Sequence, residues 1–157
     1  MARKPAKPDV ISCALRILAL REHTSFELAQ KLRKREYGEA EIEAALVQCR
    51  AWNYLDDARA AGVLVRTLLK KGAGFNKIKF ELSKRRVPIN IAENLLRELD
   101  TAGNQLEAAL ALVAKKFVKA DTHPEIHKQK GKIYRYLQNK GYSSEIIYQV
   151  MQTFYCK

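Results

Sequence analysis

Residues that break helices are scarce in this chain. Four prolines and seven glycines stand among 157 residues. Few runs are β-branched, so helix is favoured over sheet. No stretch is long and apolar enough to span a membrane. The apolar run 10–20 follows Arg3, Lys4 and Lys7 in the manner of a signal peptide, yet Arg16 interrupts it and no clean small-residue cleavage site follows. A cytoplasmic protein with no membrane partner is expected. The three cysteines, Cys13, Cys49 and Cys156, are odd in number and far apart, without metal-ligand spacing. His123 and His127 lie four apart but have no evident third ligand. There is no nucleophile elbow or zincin motif, and the spacing after Gly72-Ala73-Gly74 is not that of a phosphate loop. These gaps argue against catalytic residues, a metal site and a cofactor. They leave a binding protein, not an enzyme, as the expectation.

Positive charge is abundant. Twenty-nine Lys and Arg face 17 Asp and Glu, a formal net charge of +12. That excess exceeds what solubility asks and points to a polyanionic partner. It is spread along the chain. Residues 1–55 carry a net +3, residues 56–101 a net +4 and residues 102–157 a net +5.

The apolar residues repeat at a fixed offset. Ile11, Ala14, Leu15 and Leu18 share one helical face, spaced i, i+3, i+4, i+7. Fifty residues on, the face returns as Ala61, Leu64, Val65 and Leu68, and then as Leu106, Ala109, Leu110 and Val113. A short basic helix follows each, with Leu28 and Leu32 matching Ile78 and Leu82, then Ile133 and Leu137. Tyr37, Val87 and Tyr142 each turn back to the core after it. The third helix of each set places Ile42, Ala45, Leu46 and Cys49 in register with Ala92, Leu95, Leu96 and Leu99, then with Ile147, Val150, Met151 and Phe154. Cys49 and Met151 read as core fillers. The pattern predicts an all-α fold of three tandem three-helix repeats. They span 9–55, 56–101 and 102–157 after a flexible tail, 1–8. Units so small are marginal alone, so an elongated, curved array of packed neighbours is expected. Extra residues near Pro124 in the third repeat predict a longer loop or an added turn. The chain is expected to be monomeric.

Local signals mark the joints. Thr24 with Glu27 and Asn104 with Glu107 have the spacing of capping boxes. Asp56 reads as an N-cap, and Asp57 as a first-turn acid that suits the helix dipole. Gly72 and Gly74 supply permissive backbone where the helix before them stops. Basic residues cluster around the short second helices. Lys31, Arg33, Lys34 and Arg35 form the first group. Lys70, Lys71, Lys77, Lys84, Arg85 and Arg86 form the second, and Lys132, Arg135 and Lys140 the third. A charge run is usually a solvated face. Three runs at equivalent places predict a basic ridge for a long acidic partner.

Several stretches together resemble the RecX regulatory proteins. Residues 14–32, ALRILALREHTSFELAQKL, are similar to the opening of that family. Tyr54, Leu55, Asp56, Asp57 and Arg59 form a pattern similar to its most recognisable motif, with Ala60 where an aromatic is usual. Lys71-Gly72-x-Gly74 followed by Lys77-Ile78-x-x-Glu81-Leu82 resembles its second repeat. Tyr136-Leu137-x-x-Lys140-Gly141-Tyr142 with Ile146-Ile147 resembles its third. The resemblance covers nearly the whole chain. It implies a regulator that binds the RecA filament on single-stranded DNA and restrains strand exchange, ATP hydrolysis, filament growth and repressor cleavage. The alternative is a helical-repeat protein that binds DNA directly without reading sequence, and weak direct DNA binding fits either reading.

Overall fold

The computed structural model describes residues 8–101, 104–117 and 126–155. Nine helices and no strand occur among them. They are α1 (Val10–Leu18), α2 (Ser25–Arg33), α3 (Glu39–Ala51), α4 (Asp57–Lys70), α5 (Phe75–Lys84), α6 (Ile89–Thr101), α7 (Asn104–Phe117), α8 (Ile126–Lys140) and α9 (Ser144–Tyr155). The all-α expectation is met. The insertion near Pro124 lies outside the described residues, as does the expected side-chain cap of Asn104, although α7 does start at that residue.

The chain divides into two compact units. Met1–Val63 with Arg85–Pro88 forms one, and Leu64–Lys84 with Ile89–Lys157 the other. In the first unit, α1, α2 and α3 close on a core of Ala14, Ile17, Leu28, Leu32, Ile42, Ala45, Leu46 and Cys49. Its starts are well capped. The Asp9 carboxylate accepts from the Ile11 and Ser12 N–H groups, each at 3.0 Å. Thr24 and Glu27 form the expected capping box. Glu41 Oε2 accepts from Gly38 N at 2.8 Å and opens α3. Tyr37 is buried and donates its hydroxyl to the Pro8 carbonyl at 2.6 Å, so the chain is anchored two residues before α1.

In the second unit, α7, α8 and α9 enclose Ala109, Val113, Ile133, Leu137, Tyr142, Ile147, Val150 and Met151. Every second-helix residue expected inside is inside: Leu28, Leu32, Ile78, Leu82, Ile133 and Leu137 are at most 2% exposed. Cys49 and Met151 are buried as expected, and burial pushes the Cys49 thiol pKa up. Such a thiol is a small apolar filler, not a nucleophile.

The segment after each second helix, α2, α5 and α8, turns through the left-handed region, although α8 has 15 residues and is not the short helix expected. Glu36 has φ +63°, Arg86 +49° and Gly141 +85°. The turns after α5 and α8 then serve the N-terminus of another helix. Arg85 O accepts from the Thr24 hydroxyl at 3.1 Å, beside the start of α2. Lys140 O accepts from Gly74 N at 2.8 Å and Gly141 O from Asn76 N at 3.0 Å, at the start of α5. Gln105 Oε1 takes the Phe75 N–H at 3.1 Å. At α5, N–H groups around the helix start are thereby matched with carbonyls at the end of α8. The approach at α5 is tight. A Cβ on Gly74 would lie 2.6 Å from the Gly141 and Tyr142 backbone, and one on Gly141 would meet Lys77 at 2.4 Å. Gly72 meets the sequence expectation by conformation, with φ +70°. Gly74 is required for a different reason, the backbone packed against it.

Candidate partner-binding surface

The motif 54–59 folds into a clasp within the first unit. Leu55 enters the core at 4% exposure. The Asp56 carboxylate caps α4, accepting from Ala58 N at 2.8 Å and Arg59 N at 3.0 Å. Asp57 sits in the first turn of α4, as expected. It also reaches 32 residues back, where its carboxylate accepts from Ser25 N at 2.6 Å and from the Ser25 hydroxyl at 2.8 Å. Arg59 closes the clasp by donating to Glu22 Oε1 at 2.7 Å and to the Asn53 carbonyl at 3.1 Å. That pairing raises the Arg59 pKa further. Asp57 and Arg59 thus hold the α3–α4 turn against the entry to α2, while Leu55 packs in the core and Asp56 caps α4. Tyr54 is 55% exposed and makes an edge-to-face contact with Trp52, itself 47% exposed. Ala60 is buried.

The thirteen basic candidates divide by what they touch. Glu27 gathers two arginines: Arg85 Nε donates to its Oε1 at 3.2 Å and Arg21 at 3.0 Å, while its Oε2 accepts from Thr24 N at 3.1 Å. Burial alone would raise the Glu27 pKa, but the Arg21 and Thr24 hydrogen bonds and the Arg85 charge lower it on balance. Arg86 lies 4.7 Å over the Phe26 ring. Arg33 pairs with Glu39 through two hydrogen bonds at 2.6 and 2.7 Å, Arg35 donates to Lys31 O, and Arg135 to Gly131 O. Lys140 reaches Lys71 O at 2.6 Å. Lys34, Lys70, Lys71, Lys77, Lys84 and Lys132 are exposed and form no salt bridge among the described residues.

Lys31 belongs to an arrangement that sequence reasoning missed. Its ammonium is 2.7 Å from Nε2 of His23, a residue with no solvent exposure. Nδ1 of the same ring lies 2.8 Å from Arg21 O. A neutral imidazole satisfies both contacts, donating from Nδ1 and accepting the lysine proton at Nε2. Burial is the main cause that lowers the His23 pKa, helped by Arg21 and Lys31. The only sequence hint is His23 just before the capping box, which says nothing of a partner eight residues on.

Among the described residues no three His, Cys, Asp or Glu side chains gather where a metal ion could be held, and no helix is long and apolar enough to cross a membrane. Among the described residues the surface offers cations, exposed aromatics and open grooves, of which two bear on binding. One, about 460 Å³, is lined by Arg16, Leu20, Arg35 and Tyr37. The other, about 450 Å³, lies along α8 and α9.

Comparison with known proteins places this geometry. Residues 11–49 match the model of the first three-helix domain of RecX, and residues 104–151 that of its third. The chain is 38% identical over 151 residues to the regulatory protein RecX of Vibrio parahaemolyticus, covering 94% of each. It is 39% identical to that of Vibrio campbellii, again over 94% of each, and 34% identical to that of Prosthecochloris aestuarii over 88% of each. The crystal structure of RecX from Lactobacillus salivarius superposes with a TM-score of 0.75 at 29% identity, covering 94% of this chain and 96% of that one. By these matches the chain belongs to the RecX family of regulatory proteins.

Proposed function

We propose that the protein binds the RecA filament on single-stranded DNA and restrains its recombinase, ATPase and co-protease activities. The carrying observation is the pair Lys34 and Lys84. They are fifty residues apart, at the ends of the equivalent helices α2 and α5. Both are exposed and neither forms a salt bridge among the described residues. Charge placed twice at the same point of a repeated motif suits a partner that is itself a repeating polyanion. Weak contacts joined in one chain reinforce one another when the geometry lets them engage together. The three-repeat division at 9–55, 56–101 and 102–157 is part of this reading, as are a cytoplasmic site of action, a monomeric state and the lack of intrinsic catalysis. Arg33, Arg85 and Lys31 hold intramolecular partners, so the ridge rests on the exposed lysines.

The test measures binding to single-stranded DNA alone, to RecA alone and to the RecA–DNA filament at one ionic strength. The filament should bind tightest, and its ATP turnover should slow while the protein alone hydrolyses none. Equal affinity for naked DNA and filament would favour direct, sequence-nonspecific DNA binding instead.

A further inference from the structure

We infer that the groove between α8 and α9 is a stacking site for unpaired bases of a single-stranded nucleic acid. Its walls follow helical spacing. Lys130 and Tyr134 line it from α8, and Tyr148 and Gln152 from α9. Ile147 and Met151, both buried, form the floor. Tyr134 is 41% exposed and Tyr148 64% exposed, whereas Ile133 and Leu137 of α8 and Ile147, Val150 and Met151 of α9 are buried. Gln152 donates to Tyr148 Oη at 2.5 Å and so steadies that ring. The volume, about 450 Å³, lies within the range of small-ligand clefts, roughly 300–1,000 Å³.

Charge selects the occupant. α8 contains no Asp or Glu, and Lys130, Lys132 and Arg135 on it are exposed; Glu145 is the one acid of α9. A phosphate alone would need cations and would gain nothing from two tyrosine rings over an apolar floor. An uncharged peptide would gain nothing from the basic helix. A single strand alternates a planar base with a charged phosphate and uses both features. A duplex shields its base faces by stacking and meets the site with phosphates only. The inference does not depend on the proposed filament partner, because its test contains no RecA.

The test compares a fluorescent oligothymidylate with an abasic oligonucleotide of the same length, by anisotropy at fixed salt, for the full chain. Wild-type protein should prefer the base-bearing strand on the order of ten-fold. Tyr148→Ala and Tyr134→Ala should each reduce that preference, and Tyr148→Phe should keep it, since the phenyl ring stacks without the hydroxyl. Melting curves establish that the variants are folded, which the exposure of both rings favours. Equal affinity for the two strands, or a preference unchanged in both alanine variants, would overturn the inference. So would tighter binding of polyglutamate than of oligothymidylate, which would make the groove a site for an acidic peptide.

Discussion

The first and the middle helix triplets are built from the same pattern and are filled to different degrees. In α3, Ile42, Ala45, Leu46 and Cys49 are all buried. At the matching places of α6, Leu96 is buried while Ala92, Leu95 and Leu99 keep partial exposure. The first triplet lies wholly within one compact unit, whereas residues of the middle one are shared between two. Equal sequence periodicity therefore does not mean equal closure. A hydrophobic face records which side of a helix is apolar; how far it is covered depends on what packs there. The first triplet adds local devices that the middle one lacks. Where it has buried His23, the position fifty residues on holds buried Ala73. Where Tyr37 hydrogen-bonds Pro8, the middle triplet has Val87.

The largest effect expected comes from emptying the shared core slot. Leu32→Ala and Leu82→Ala each remove a side chain that is at most 1% exposed, at a cost of about 2–5 kcal/mol. The loss should be greater for Leu32, whose capped and filled surroundings collapse less into the space. Denaturant unfolding of both variants measures the difference. A Leu82→Ala chain as stable as wild type would remove the middle helix from the core.

The third triplet sharpens the comparison through one hydroxyl. Tyr142 is as buried as Tyr37, yet its Oη has no hydrogen-bond partner among the described residues. Burial, with a smaller contribution from Tyr136, pushes its pKa up to about 12. Tyr37→Phe should lower stability by about 1 kcal/mol, the value of a typical hydrogen bond. Tyr142→Phe should be neutral or slightly stabilising. Equal losses in thermal melts of the two variants would mean that the hydroxyls do the same job.

Acid should act on the first unit through His23. Its folded-state pKa is lowered from 6.5, mainly by burial, so the unfolded chain takes up the proton first as pH falls. The stabilisation is complete above 6.5 and is lost as pH drops from there through the depressed folded value. Melting curves between pH 7.5 and about 5 should show this loss, and a His23→Ala chain should show a shallower slope over the same window. An identical slope would assign the acid sensitivity to other groups.

Periodicity made the helices, the buried second-helix residues and the Thr24 capping box legible, because each depends on residues within a few positions of one another. The full clasp was not. Asp56 as a cap could be read locally, but Asp57 on Ser25 and Arg59 on Glu22 join residues 32 and 37 apart, and no spacing rule reaches that far. The basic clusters were legible as charge but not as free charge. Arg85 and Lys34 look alike in sequence, yet only the fold brings Glu27 to Arg85. The need for Gly74 was visible as a turn signal, while its cause, the Gly141 backbone 2.6 Å from an added Cβ, was not.

The central claim is that repeated, exposed lysines at the ends of equivalent helices meet the filament. Lys34→Glu combined with Lys84→Glu tests it most directly, since neither residue forms a salt bridge among the described residues and the fold should survive. The measurement is a titration of RecA ATPase on single-stranded DNA with the folded double variant at two ionic strengths. Inhibition should weaken most at low salt, where screening is least. Inhibition equal to wild type at both ionic strengths would contradict the claim and leave these lysines as solvated helix-end charges.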